Sequence, residues 1–294
     1  MTAMRFARPA SVDEVIAVRT EHGDDAHLLA GGTSTVLLLK QGLIEPSVLV
    51  HLGRLPSTDP RLDTARRVDG HVEIGALQPL HRLELDPVVG RDLPAVAEAV
   101  GRVATVRVRN QATIGGNLVH ADPAQDPPPI LLVHDASVEL VGPEAAREVA
   151  LVDFFVDVFE TSLAPDEVLT IVRVPVPDPT SRFAYTKFLP RTVDDYATVS
   201  VAVRLDRAAD GTIGDARIAL GNAGPIPFRA LEAEASLRGE RPTPERLRLA
   251  AALAEDASDP VDDVRGSAAY KRQMAGLWTA RTLLDLAAAW EVER

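Results

Sequence analysis

The chain has 294 residues, 46% of them hydrophobic and 25% charged, with a net charge of −12 and no cysteine. That length supports one large domain or two modest ones. The missing cysteines exclude disulfides, a thiol nucleophile, a Cys-type zinc site and any iron–sulfur cluster ligated by cysteines of this chain. No basic patch points to nucleic acid, and no apolar run is long enough to span a bilayer. Met1 to Pro9 carries no apolar signal core. The expectation is therefore a cytoplasmic protein without membrane insertion. No metal site and no catalytic residue is assigned.

In chain order, Arg5 to Ala7 reads as a strand, followed by a helix opened by the capping box Ser11-Val12-Asp13-Glu14 and closed at His22-Gly23. Ala26 to Ala30 is an apolar strand running into Gly31-Gly32. Val36 to Gln41 reads as a short helix and Ser47 to Leu52 as a strand. Asp69-Gly70 marks a hairpin in which Val72, Ile74 and Ala76 share a face. Helices are expected over Asp92 to Val100 and Pro127 to His134, the second opened by proline. Strands are expected over Ser137 to Val141 and Val168 to Val176.

The proline cluster Pro175 to Pro179 reads as a domain boundary. Beyond it come strands at Ala184 to Leu189, Thr198 to Asp206 and Ile213 to Leu220, with Asp210-Gly211 turning the last pair. Helices follow over Pro227 to Leu237, Pro244 to Glu255 and Ser267 to about Trp290. Strands and helices mix without a regular βαβ beat, so the fold class is α+β rather than doubly wound.

Two glycine motifs carry the chemistry, Ala30-Gly31-Gly32-Thr33-Ser34 and Thr113-Ile114-Gly115-Gly116-Asn117. Glycine permits positive φ and lets backbone amides approach a ligand without a Cβ. Successive amides in such turns form an anion nest, and hydroxyl donors near a helix start add to it. A single Gly-Gly is commonly only a tight turn. A pair suits a pyrophosphate. Residue pattern alone stops at a phosphate or dinucleotide site, because neither the nicotinamide G-x-G-x-x-G fingerprint nor the NTP P-loop is present.

At these residues the chain resembles the FAD-binding medium subunit of the molybdenum hydroxylases. The stretches that carry the resemblance are Leu28 to Lys40, Arg109 to Asp126, Lys187 to Ala197 and Val264 to Gly276. The resemblance implies a PCMH-type FAD-binding region, like that of vanillyl-alcohol oxidase, over 1–176. That region would comprise two small α+β subdomains, about 1–55 and 56–176. A C-terminal α+β domain of the CO dehydrogenase flavoprotein type would follow over 177–294. It further implies that Gly31, Gly32, Thr33, Ser34, Thr113, Ile114, Gly115, Gly116 and Asn117 hold the FAD pyrophosphate, with Leu28, Ala30 and Thr35 lining the cofactor.

Asp126, Lys187 and Tyr196 match positions at the isoalloxazine, and Leu169 matches an apolar wall. His120 and Asp122 flank the second motif. From the residues alone each has another reading. Asp126 before Pro127 is also a helix cap. Lys187 is also an exposed edge charge, Tyr196 a core residue, Asp122 a turn former and His120 an ordinary hydrogen-bonded side chain. Two positions depart from the family: Arg107 replaces a frequent glutamine, and Val103 stands where the adenine pocket often carries a bulkier residue.

The implied activity is electron transfer in a molybdenum-containing dehydrogenase. Electrons would pass from [2Fe–2S] clusters of a small subunit through FAD to an external acceptor. A molybdopterin-binding large subunit would complete a dimer of heterotrimers. A stand-alone FAD-dependent oxidoreductase on the same fold and a binding module without flavin are the competing readings.

Overall fold

A computed structural model describes residues 4–190, 192 and 194–292. Met1 to Ala3 of the opening segment, and Arg191 and Val193 of the stretch Lys187 to Ala197, lie outside the described residues.

The first region is β1 (Arg5–Ala7), α1 (Val12–His22), β2 (Ala26–Leu29), α2 (Thr35–Lys40) and β3 (Val48–His51). Its sheet is parallel, in the order β1-β3-β2. Ser11 caps α1 by accepting from the Glu14 amide at 3.2 Å. Glu14 reaches back one residue beyond the usual capping box, to the Ala10 amide at 2.7 Å.

The second region begins with β4 (Ala65–Val68), β5 (His71–Gly75) and a run of short helices. These are α3 (Leu80–Glu84), α4 (Pro87–Asp92), α5 (Pro94–Gly101), α6 (Val106–Arg109), α7 (Ile114–His120) and α8 (Pro127–Val133). It closes with β6 (Ser137–Val141), β7 (Ala146–Ala150), β8 (Phe155–Asp157), β9 (Glu160–Thr161) and β10 (Val168–Pro175). An antiparallel five-stranded sheet runs β4-β5-β10-β6-β7. The Asp69-Gly70 turn has positive φ at both residues, 45° and 82°, as a two-residue hairpin requires.

The expected helix over Asp92 to Val100 is α5, which starts two residues later at Pro94; α4, which the sequence reading missed, ends at Asp92, where Pro94 carries no amide to continue it. Asp86 caps the earlier one by accepting from the Val88 and Val89 amides. A larger correction concerns the second glycine motif. It is not a turn but the first turn of α7, with Thr113 as its N-cap.

The third region is β11 (Ser181–Phe188), β12 (Val199–Arg207), β13 (Ile213–Gly221), β14 (Phe228–Arg229), α9 (Leu231–Leu237), α10 (Pro244–Asp256) and α11 (Ala268–Val292). Its four strands form an antiparallel sheet in sequence order. Helices α9 and α11 pack on that sheet and α10 packs against both helices, in a core that includes Val201, Val203, Ile218, Leu247 and Leu283, all buried.

The second and third regions share packing. Ala202 and Ala219 of the third sheet join the core built by α5, α7, α8 and β10. Asp135, held at φ 53° after α8, accepts from Arg204, Arg217 and Arg229 at 3.0–3.3 Å. Next to it, His134 is 2% exposed and stacks on Phe183 of β11 with ring centroids 3.9 Å apart. Burial, with the Arg204 guanidinium nearby, pushes this imidazole down from 6.5 to about 3.

The unfolded chain therefore binds a proton at His134 that the folded chain refuses between those pH values. This contribution to stability is intact above pH 6.5 and lost as pH falls toward 3. The slope is about 1.4 kcal/mol per pH unit at most. We expect His134→Phe, which preserves the stack, to flatten this acid loss in denaturant melts. Equal pH slopes for the two proteins would contradict the assignment.

Candidate functional site: a dinucleotide cleft beside α7

The two glycine motifs meet in space. A Cβ on Gly31 would lie 1.7 Å from the Gln111 carbonyl oxygen, so the β2–α2 connection lies directly on the segment that leads into α7. A Cβ on Gly115 would meet Ala76 at 2.6 Å. One on Gly116 would be 3.8 Å from Ala30 and 2.9 Å from the Thr113 hydroxyl. Only Gly32 has positive φ, 74°. The other three glycines answer to close approach of backbone and neighbouring groups, not to a left-handed backbone.

The motifs are not equivalent as ligand cradles. Among the described residues, the amides of Gly32, Thr33 and Ser34 donate to no protein group. They remain available to an anion. In the second motif the amides are already engaged. Ile114 donates to Gln78 O, Gly115 to Ala76 O, Gly116 to Thr113 Oγ1 and Asn117 to Thr113 O. The expectation of a second amide nest is therefore corrected: the segment after β5 takes the Ile114 and Gly115 amides, and Thr113 at the helix start takes those of Gly116 and Asn117. Ile114 is fully buried and anchors α7 in the core. What this motif presents to the cleft is the exposed Gly116 and the Asn117 side chain.

Asn117 Oδ1 is buried without a hydrogen-bond partner. Such an acceptor costs about 1–3 kcal/mol when left alone. An adjoining ligand hydroxyl or water removes that cost. Free amides, an unpartnered buried amide oxygen and a helix start at which Gly116 keeps a Cβ away together fit a pyrophosphate with its sugars.

Around this pair, Leu28, Ala30, Gly31, Ser34 and Thr35 are half-buried and Thr33 is exposed. The Thr35 hydroxyl lies 3.5 Å from His27 Nε2. His27 and His120 are both shifted below the ordinary histidine range, chiefly by burial. His120 stacks obliquely on Phe159 at 5.1 Å. The cleft wall is thus neutral imidazole at neutral pH rather than cationic. Leu169 lies on β10, 6% exposed, one residue before Thr170, whose carbonyl accepts from the Ala76 amide. It sits in the core behind α7.

From α7 the chain continues to Asp122 and Asp126. Asp122 accepts from the Ala124 amide at 2.9 Å, a local turn bond. Asp126 makes no capping bond to α8. It is 3% exposed. Tyr185 donates to its Oδ1 at 2.6 Å and Lys187 to its Oδ2 at 2.9 Å. Lys187 also donates to the Arg102 carbonyl at 2.9 Å. Burial pushes the Asp126 carboxyl upward, and Lys187 and Tyr185 oppose that shift.

Lys187 is no exposed edge charge: its side chain is 4% exposed. Tyr196 is no core residue: it is 39% exposed, its ring faces the Arg265 guanidinium at 5.2 Å, and burial and the Asp122 charge hold its hydroxyl proton tightly. The site therefore runs from the glycine motifs along α7 to a group formed by Asp126, Lys187 and Tyr196.

Sequence reading missed Tyr185, His27 and Arg265. Tyr185 had a signal, since residues two apart on a strand share a face, and Lys187 was already assigned to it.

These features define a dinucleotide cleft, and the comparison with known proteins identifies the dinucleotide as FAD. The family described as "FAD binding domain in molybdopterin dehydrogenase" matches residues 2–177. The "CO dehydrogenase flavoprotein C-terminal domain" matches residues 184–286. The chain belongs to the family of FAD-binding medium subunits of the molybdopterin dehydrogenases.

Among its relatives, the carbon monoxide dehydrogenase medium chain of Hydrogenophaga pseudoflava is 36% identical over 285 residues, covering 97% of this chain and 96% of that one. The nicotine 6-hydroxylase medium subunit of Paenarthrobacter nicotinovorans is 32% identical, covering 98% and 99%. In structure, a chain of the Hydrogenophaga pseudoflava carbon monoxide dehydrogenase superposes with a TM-score of 0.92 at 37% identity, covering 97% of each chain. A chain of quinoline 2-oxidoreductase from Pseudomonas putida 86 gives 0.89 at 31%, covering 98% of each. Among the described residues no helix is long and apolar enough to cross a membrane.

Proposed function

We propose that this chain holds FAD as the electron outlet of a molybdenum-containing dehydrogenase whose other chains carry the molybdopterin and the [2Fe–2S] clusters. The observation that carries the reading is the meeting of the two glycine motifs at Gly31 and Gly116, continuous through α7 with the buried Asp126–Lys187 pair. Bound flavin supplies the ability to take electrons singly or in pairs.

The residues do the rest. Gly32, Thr33 and Ser34 offer amides to the pyrophosphate. Gly116 leaves room for it, and Asn117 accepts from a neighbouring hydroxyl. Asp126, Lys187 and Tyr196 set the polarity and shape at the ring end, and Leu169 backs the wall. His27 and His120 keep the cleft free of fixed charge. A chain without cysteine needs partners for the clusters. We read 1–176 as the FAD-binding domain and 177–294 as the C-terminal domain, in a cytoplasmic complex arranged as a dimer of heterotrimers.

Isolation from the native host tests this reading. The chain is expected to copurify in equal amounts with a molybdopterin chain and a cysteine-rich [2Fe–2S] chain. Removal of FAD is expected to leave the clusters reducible while abolishing electron delivery to external acceptors. A chain that purifies alone and turns over a small substrate without metal-bearing partners would establish the stand-alone oxidoreductase instead.

A further inference from the structure

We propose that Arg265 is a positioning residue that fixes the Tyr196 ring over the flavin end of the cleft. This rests on the reading above, in which Tyr196 lies at the flavin.

Arg265 sits in the loop between α10 and α11, and that loop is locked from beneath. Lys271 of α11 is 0% exposed, and its Nζ lies 2.7 Å from Asp263 Oδ2. A buried ammonium is tolerated only when paired, and breaking such a pair is strongly destabilising. Asp263 is therefore held in place, and its other oxygen accepts from the Arg265 amide at 2.8 Å. Asp263 and Gly266 exchange backbone bonds at 3.1 and 3.2 Å. At the start of α11, the Ala268 amide donates to Asp262 at 2.6 Å. The backbone that carries Arg265 has little freedom.

From that base the guanidinium holds Tyr196 in two ways. Its central carbon stands 5.2 Å from the ring centroid, within cation–π range. Its Nη2 donates to Asp195 Oδ1 at 2.9 Å, and the same oxygen accepts from the Tyr196 amide at 2.7 Å. Arg265 Nε is buried without a partner. The loop therefore sets the pose of this side chain, since one of its donors goes unsatisfied there.

The chain beyond Tyr196 is fixed separately. Asn222, left-handed at φ 54°, donates through Nδ2 to Ala197 O and Thr198 O at 2.8 and 3.1 Å. Its amide donates to Pro123 O at 2.7 Å. One asparagine thus joins the Tyr196 segment to the Asp122–Asp126 segment. With the backbone after Tyr196 held by Asn222 and Asp195 before it held by Arg265, the orientation of the ring is the freedom that Arg265 restricts. The Asp195 end of this ion pair is open to water, so the pair contributes little to stability. Its effect falls on the ring.

The test uses the full chain loaded with FAD, and reads flavin emission per bound FAD together with FAD affinity. A tyrosine ring stacked at the isoalloxazine quenches that emission. Tyr196→Ala is expected to brighten it. Arg265→Gln is expected to brighten it about threefold, the population ratio that a cation–π contact of this class maintains. Arg265→Lys should restore most of the quenching. Asp195→Asn should brighten it less than Arg265→Gln. In the Tyr196→Ala background, Arg265→Gln should add nothing.

Wild-type emission in Arg265→Gln beside a bright Tyr196→Ala would overturn the positioning role alone. An equal rise from Arg265→Gln in both backgrounds would overturn it as well. A dark Tyr196→Ala would overturn the placement of Tyr196 at the flavin, and the proposal with it.

Discussion

Gly116→Asp is expected to yield a folded but colourless protein. Gly116 is exposed at the start of α7, and its Cβ would meet only the Thr113 hydroxyl at 2.9 Å and Ala30 at 3.8 Å. A side chain there enters the space between the two motifs. An aspartate adds a negative charge where the pyrophosphate would lie, and like-charge juxtaposition costs several kcal/mol, about a thousandfold in affinity. Gly31→Ala fails differently. Its Cβ would overlap the Gln111 carbonyl at 1.7 Å, and backbone cannot yield as a side-chain tip does. We expect a stability loss of about 3 kcal/mol or more, with loss of FAD as a consequence. Denaturant melts and FAD titration separate the two. A Gly116→Asp protein that purifies fully yellow would contradict the cradle.

The second large effect concerns Asp126 and Lys187. Each side chain is 4% exposed, and the pair closes at 2.9 Å. Removing one partner strands the other, at about 3–5 kcal/mol. We therefore expect Asp126→Ala and Lys187→Met each to lower stability strongly, and the double variant Asp126→Leu with Lys187→Met to recover much of the loss.

The redox consequences have opposite signs. Lys187→Met removes a positive charge and lowers the potential of bound flavin. Asp126→Asn leaves the ammonium uncompensated and raises it. Shifts on the order of 30 mV correspond to about 1.4 kcal/mol in a two-electron couple. A potentiometric titration of the FAD-loaded variants distinguishes this from a purely structural pair, which would change stability and leave the potential where it was.

Much of the fold was readable because its signals are local. Ser11 with Glu14, Asp69-Gly70 and the alternation of Val72 and Ile74 each specify their element without help from distant residues. The α3–α6 run was harder. Its helices have four to eight residues, too few to display a helical period.

The site shows the same division. The glycine motifs were visible, but their roles were not. Whether a glycine serves positive φ or close approach depends on what lies opposite it. For Gly31 that is Gln111, and for Gly115 it is Ala76, both far away in sequence. Likewise, nothing in spacing reveals that Ala76 takes the Gly115 amide and Thr113 the Gly116 amide, or that Arg265 faces Tyr196. The family resemblance supplied the cofactor; the physical reading of single residues stopped at a phosphate.

Binding of FAD through the paired glycine motifs would give the purified chain a flavin spectrum. The absorption spectrum of the purified chain, followed by identification of the nucleotide released on denaturation, tests it most directly. Flavin bands with one FAD per chain are expected, lost in Gly116→Asp while the protein stays folded. A chain that remains colourless when titrated with FAD, or a Gly116→Asp protein that retains the full flavin complement, would contradict it.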